Sequence, residues 1–472
     1  MSLCRTLRSV ILSALILLSC SIASPQNPPP YQATIASLNQ HALPGWYDDA
    51  KLGIFIHWGL YSVPGWAPLV HPDHDFSSQD YITNNPYAEW YYNTMRIDGS
   101  PTQKYHRQTY GTDYNYYNFA VTFNQQIKQW NPDTWAEIFR AAGAKYVVLT
   151  SKHHEGFTLW PSKIPNPTLP SDRQHASRDI VGELTTAVRK QGLRMGLYYS
   201  GGYDWTFVPG PIRVQGDYET VQPQSEAYGK YADGHMRELI ELYKPALLWN
   251  DINYPKSGHP LEIMAFYYNT VPDGVIDDRF GVEHHDFTSP EYETLSKINP
   301  NKWEECRGLG RSFGYNRAEG EAETIPSADL IYLLADIVSK NGNLLLDIGP
   351  EANGTIPIVQ MERLRDLGDW LRNNGEAIYG THPWQRAEGT TSENIPVRFT
   401  RKDAHIYAIL LGIPKSSSIT LRSITLKPNS NVYLLGYPEA LPWSQQNADI
   451  LINLPPTLPC KFALSFRLNP EL

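Results

Sequence analysis

Across residues 46–380 the chain alternates short apolar runs with segments whose apolar residues recur every three or four positions. One unit is complete in itself. Asn131-Pro132 supplies a cap and a first helical residue, after which Trp135, Ile138, Phe139 and Ala142 fall on one face. Gly143 ends that helix, and 145–150 follows as a strand apolar on both faces. The pattern repeats. A helix from Asp179 carries Val181, Leu184 and Val188, stops at Gly192 and leads into the strand 194–200. A third carries Met236, Leu239, Ile240 and Tyr243, stops at Pro245 and leads into 246–250. A helix after Ser327 precedes the strand 344–348, and a last one is expected over 363–374.

Repeated strand–helix units imply a parallel sheet with helices outside it. Their number favours a closed (β/α)8-like barrel over an open doubly wound sheet, and no G-x-G-x-x-G follows the first strand. After Trp384 the grammar changes. Short apolar or alternating runs at 397–400, 406–411, 418–421, 432–435, 450–454 and 462–468 are separated by Gly, Pro, Asn and Ser. They read as a small all-β sandwich. The expected organisation is a leader over 1–23, a proline-bearing linker over 24–45, the barrel over 46–384 and the sandwich over 385–472.

The leader rests on Arg5 and Arg8, the apolar run 10–18 and the small residues Ser21-Ile22-Ala23. This is the arrangement of a secretory signal, and its apolar part is too short to span a bilayer comfortably. A secreted, membrane-free protein is expected. Cys4 and Cys20 lie in the leader, so Cys306 and Cys460 alone remain, and their pairing stays open. Asn353-Gly-Thr355 is a glycosylation sequon. The formal net charge of −9 and the lack of a basic stripe argue against nucleic acid as a partner. Aromatic residues reach 12%, a composition compatible with stacking on sugar rings. The oligomeric state is not legible.

In such a barrel the chemistry collects where the strands end. His57-Trp58 follows the first apolar run; Lys152-His153-His154-Glu155, Tyr198-Tyr199-Ser200, Trp249-Asn250-Asp251 and Asp277-Asp278-Arg279 follow later ones. Imidazoles, carboxylates, aromatics and an arginine converging on one pocket suit a polyhydroxylated ligand. Glycosidic bond cleavage needs two carboxyl groups, one ionised and one able to give a proton. Asp251 is the candidate for the first, with a helix cap or turn residue as its competing reading. Glu291, on a loop after the next strand, is the candidate for the second, with solvated surface as its competitor. Trp303-Glu304-Glu305 offers two rival acids. Adjacent His153 and His154 are expected to project apart on a strand, and no H-E-x-x-H helix accompanies them, so no metal is expected. Trp58, Trp90 and Phe313 read equally well as core aromatics.

At these residues the chain resembles the α-L-fucosidases of glycoside hydrolase family 29, from about Trp46 to Trp384 and more weakly beyond. The motifs run in order from Gly53 through His57-Trp58 to Trp66, then Asn85-Pro-Tyr-Ala-Glu-Trp90, Lys152-His-His-Glu-Gly-Phe157, Tyr198-Tyr-Ser-Gly-Gly202, Leu248-Trp-Asn-Asp251, Ser312-Phe-Gly-Tyr-Asn-Arg317 and 341–350. The resemblance implies hydrolysis of terminal α-L-fucosyl residues with retention, through a covalent glycosyl ester on Asp251. It makes Glu291 the acid/base, ahead of Glu304 and Glu305. It places His57, Glu89, Trp90, His153, His154, Tyr198, Trp249, Arg279 and Phe313 around the sugar, with Phe313 or Trp90 near its C5 methyl. It implies no cofactor, and a fucosylated oligosaccharide or glycoconjugate as substrate. Two competing functions remain: a fucose-binding lectin on a silent hydrolase scaffold, and a barrel glycosidase for another sugar, such as a β-galactosidase.

Overall fold

The computed structural model describes residues 30–69, 79–208 and 210–471. The leader 1–23 and the first part of the linker lie outside the described residues. Seven parallel strands form the central sheet: β1 (Leu52–Ile56), β2 (Tyr146–Lys152), β3 (Arg194–Ser200), β4 (Leu247–Asp251), β5 (Val275–Ile276), β6 (Trp303–Gly308) and β7 (Gly342–Ile348). Their order is β5-β4-β3-β2-β1-β7-β6. The gap between β5 and β6 is spanned by an irregular stretch around residues 287–291. It makes parallel bridges Asp277 to Phe287, Thr288 to Trp303 and Glu291 to Cys306. Backbone bonds from Glu304 N to Thr288 O (2.8 Å) and from Cys306 N to Pro290 O (3.1 Å) fasten it to β6. This stretch is the eighth stave of a (β/α)8-like barrel. The sequence shows no apolar run there, which is why it reads as a loop.

Period-two alternation sorts the strand residues into two cores. Phe55, Val148, Tyr198, Leu247, Trp249, Val275, Cys306 and Leu345 pack together inside the barrel, over Tyr47 and Ala50 of the short helix Gly45–Ala50. Ile54, Ile56, Val147, Leu149, Leu197, Leu248, Ile276, Leu344 and Leu346 face the helix layer instead. Both faces of the strands are therefore apolar, as a parallel barrel requires.

The helices start and stop where their residues dictate. Asn131 accepts from Asp133 N at the start of Pro132–Ala141, and Asp179 accepts from Gly182 N at the start of Ile180–Lys190. The first of these buries Trp135 and Phe139, each contributing about 1.5–3 kcal/mol of hydrophobic stabilisation. Gly143 follows at φ 92°, and a methyl group there would lie 2.7 Å from the Tyr379 hydroxyl and 2.8 Å from Leu371 Cδ1. Left-handed backbone and close packing both exclude a side chain. Gly143→Ala should cost about 2–3 kcal/mol, read as a lower urea midpoint; an unchanged midpoint would show that this corner relaxes freely.

The carboxy-terminal region is antiparallel throughout. A six-stranded sheet (Ala440–Leu441, Val432–Leu434, Leu464–Leu468, His405–Leu410, Pro396–Lys402, His382–Thr390, in spatial order) faces a three-stranded one (Ser418–Leu421, Asp449–Asn453, Trp443–Gln446). Val397, Phe399, Ile406, Ile419, Ile450 and Phe466 fill the space between them. The sandwich is tied to the barrel by Trp370 Nε1 donating to Ala463 O at 3.0 Å, Tyr332 OH donating to Phe462 O at 3.1 Å, and an Arg398–Asp336 ion pair.

Candidate active site

A cavity of about 1050 Å³ opens at the carboxy-terminal ends of the strands. Each of Asp251, Glu291, His57, Glu89, Trp90, His153, His154, Tyr198, Trp249, Arg279 and Phe313 lines it.

Asp251 is the last residue of β4, in phase with the inward-facing Leu247 and Trp249. It starts no helix: Ile252 and Asn253 adopt φ of 56° and 65°, and the chain turns away. Two donors hold the carboxylate. Tyr198 OH lies 2.8 Å from Oδ2 and Arg279 Nη1 lies 3.0 Å from Oδ1. Such charge-assisted bonds fix orientation as well as position. Arg279 is itself fixed, stacked 4.4 Å above the Trp249 ring and bonded to Ser289 Oγ (3.0 Å) and Ser289 O (2.9 Å).

The same guanidinium touches Glu291, whose Oε2 lies 3.5 Å from Nη1 and 3.4 Å from Nη2. Nη1 thus stands 3.0 Å from one carboxylate and 3.5 Å from the other, so those two oxygens are no more than 6.5 Å apart. That bound sits at the lower edge of the spacing of inverting glycosidases, about 6.5–9.5 Å, and admits the retaining spacing of about 5–5.5 Å. Glu291 lies on the stave that closes the barrel, with 33% of its side chain exposed to the cavity. Loss of surrounding water raises its carboxyl above the ordinary range; Arg279 opposes this and the charge of Asp251 adds to it.

The rival acids are elsewhere. Glu304 points into the barrel below the cavity, where the hydroxyls of Tyr47 (2.8 Å) and Tyr146 donate to it. Burial pushes its carboxyl up to about 7. Glu305 projects from the opposite face of β6, 3.9 Å from Arg307. Neither lines the cavity.

The polar walls are also braced. His57 follows β1, and its Nδ1 lies 2.7 Å from Asp347 Oδ1 at the end of β7. Burial pushes the imidazole well below its ordinary value and the carboxyl well above its own. His153 and His154 do not project apart as expected: their ring centroids are 3.9 Å from each other. They follow the last residue of β2 in a turn closed by Gly156 N to His153 O, where strand alternation no longer applies. His154 Nδ1 lies 2.6 Å from Ser200 Oγ, which donates to Tyr203 O at 2.8 Å. The Nδ1 proton is assigned from that network. Burial pushes the imidazole well below its ordinary value. Nε2 is then an acceptor, 3.9 Å from Asp251 Oδ2. Glu89 Oε2 accepts from Gly314 N (2.7 Å) and Ser312 Oγ (3.3 Å), and burial lifts this carboxyl to about 7. Trp90 meets His154 edge-on at 5.7 Å, and Phe313 lies 5.1 Å from His57. Trp58 is different: it packs on Trp135 at 4.9 Å in the helix layer and is a core residue.

Tyr81, Asn85 and Tyr87, then Gln215, Gly216, Tyr218 and Glu219, and Ile252 and Cys306 also line the cavity. Asn85 and Tyr87 flank Glu89 in a motif and were legible by position. Cys306 and Cys460 are unpaired. Among the described residues, the cluster with metal-like spacing is Asp48, Asp49 and His382; it does not line the cavity, and Lys302 already binds Asp48 at 3.0 Å.

Two carboxyl groups bracketing one arginine, above an aromatic floor and beside imidazoles, can perform acid-assisted displacement at a sugar carbon. Comparison with known proteins agrees. Residues 18–376 match the family model "Alpha-L-fucosidase", and residues 390–469 match "Alpha-L-fucosidase C-terminal domain". The α-L-fucosidase of Dictyostelium discoideum is 34% identical over 477 residues, covering 96% of both chains. The human tissue α-L-fucosidase is 33% identical, covering 95% of this chain and 94% of that one. The structure of Thermotoga maritima α-fucosidase in complex with fucose is 43% identical, with a TM-score of 0.84 over 93% of this chain and 100% of that one. From its fold, its cavity and these relatives, the chain belongs to the α-L-fucosidase family.

Proposed function

We propose that the protein is a retaining exo-α-L-fucosidase acting on terminal fucosyl residues of oligosaccharides or glycoconjugates. The observation that carries this reading is the pair Asp251 and Glu291 on one guanidinium, within 6.5 Å, inside the cavity. In the first step an Asp251 oxygen attacks the anomeric carbon while Glu291 gives its proton to the leaving oxygen. The product is a fucosyl ester on Asp251 and a free alcohol. In the second step Glu291, now ionised, takes a proton from water as that water opens the ester. Tyr198 and Arg279 keep the attacking carboxylate aligned. His57, His153, His154 and Glu89 serve the sugar hydroxyls, and Trp90 and Phe313 its apolar edges.

Secretion is part of the same proposal, supported by Arg5, Arg8 and the apolar run that follows them. Among the described residues no helix is long and apolar enough to cross a membrane. Glycan attachment at Asn353 is supported by its exposure in a turn, where Thr355 N donates to Asn353 Oδ1 at 2.8 Å.

The test is stereochemical. Proton NMR during hydrolysis of an aryl α-L-fucoside should show the α-anomer of fucose first, with an aryl β-D-galactoside left intact. The β-anomer first, or preference for the galactoside, would overturn the reading.

A further inference from the structure

The inward face of β7 runs through Asn343, Leu345 and Asp347. Asp347 is the last of these, 1% exposed, and does not line the cavity. It pairs with Phe55 of β1 on one side and Gly308 of β6 on the other, and its carbonyl accepts from Leu309 N at 3.2 Å. The backbone therefore leaves its side chain little freedom. Burying a carboxyl in an apolar barrel carries a penalty that a leucine at the same place would avoid. What the carboxyl gains is one imidazole. Among the described residues its hydrogen bond is the 2.7 Å contact from Oδ1 to His57 Nδ1, and Oδ2 has no partner. His57 depends on that contact in turn. Phe55, Tyr198, His153 and Phe313 surround its ring at centroid distances between 4.7 and 5.8 Å. These rings confine the imidazole plane but do not tell one edge from the other. Asp347 does, by drawing Nδ1 inward and leaving the Nε2 edge for the cavity that His57 lines. The neighbouring imidazoles are backed differently: His154 Nδ1 lies 2.6 Å from the Ser200 hydroxyl, and His153 Nδ1 stands 3.6 Å from Glu155 Oε2, beyond hydrogen-bond range.

We propose that Asp347 is a positioning residue: its carboxyl holds His57 by one edge and in one tautomer, so that Nε2 meets a single sugar hydroxyl in a fixed sense. This rests on the fucosidase reading and adds to it a group that never touches the sugar. In a neutral imidazole one nitrogen donates and the other accepts, and the partner of the first decides the role of the second. Without Asp347 the ring can turn over or move its proton. The sugar hydroxyl then faces a carbon edge, or a nitrogen of the wrong polarity, for part of the time.

Asp347→Leu keeps the branched shape and removes the hydrogen-bond partner, whereas Asp347→Asn keeps an amide able to hold Nδ1. For an aryl α-L-fucoside, kcat/KM should fall about ten- to hundredfold in Asp347→Leu, the range that follows loss of the partner behind a metal-binding imidazole. Asp347→Asn should recover most of that loss. A fucosylated disaccharide should lose the same factor as the aryl fucoside, because His57 serves the sugar and not the leaving group. Calorimetric binding of L-fucose and its 2-, 3- and 4-deoxy analogues separates positioning from general damage. In the unsubstituted protein, deleting the hydroxyl that His57 meets should weaken binding about tenfold. That penalty should shrink to about twofold in Asp347→Leu and persist in Asp347→Asn. If the leucine variant does not fold, Asp347→Ala carries the same comparison. Unchanged kcat/KM on loss of the carboxyl overturns the proposal. So does an asparagine variant as poor as the leucine one, or weaker binding of all the sugars by one factor with every deoxy penalty intact. A deoxy penalty that depends on Asp347, with no hydrolysis of any fucoside, would preserve this role and defeat the fucosidase reading.

Discussion

Asp251→Gly should yield a folded protein whose turnover of an aryl α-L-fucoside falls by on the order of 10⁴-fold or more. The substitution removes the attacking oxygens and leaves a small void between Tyr198 and Arg279. Those donors lose a buried partner, at about 1–3 kcal/mol, but Arg279 keeps Ser289 and Glu291. Azide is small enough to enter the void and approach the anomeric carbon from the same face. It should restore part of the rate and give a β-fucosyl azide, detectable by NMR. Loss of less than tenfold, or rescue without that product, would remove Asp251 from the role of nucleophile.

Glu291→Ala should separate substrates by their leaving groups. General acid catalysis is worth about 10²–10⁴-fold, so fucosides of ordinary sugar alcohols should lose that much. An aryl fucoside whose phenol is already acidic needs little proton transfer and should lose much less in forming the ester. The pH profile gives an independent check. The Glu291 carboxyl lies above its ordinary value, and its protonated form is the acid. kcat/KM should therefore fall as pH rises through that raised value, and this alkaline limb should vanish in the variant. Equal losses for all leaving groups, with the limb intact, would return the role to another acid; Glu304, sealed beneath the cavity by Tyr47 and Tyr146, is poorly placed to take it.

Much of this was legible from residue pattern alone. Strands such as β2 and β4 announce themselves by continuous apolar runs, and their final residues carry the chemistry. Helix starts at Asn131 and Asp179 follow from side chains that satisfy free backbone donors. The aromatics were not separable that way. Trp58 sits in the helix layer while Trp90 lines the cavity, and only packing distinguishes them. The expectation for His153 and His154 failed because a strand rule was extended past the end of the strand. The stave around residues 287–291 escaped notice because its ladder is made by single bridges, not by an apolar run.

That irregular stave has a consequence for how such enzymes diversify. Asp251 ends a five-residue strand laddered to β3 along its whole length and to β5 at its start, so relocating it would mean rebuilding the wall. Glu291 sits on a seam that is stitched rather than woven, where insertions or a rethreaded path disturb few backbone pairings. A change of path there moves Glu291 while Asp251 stays anchored.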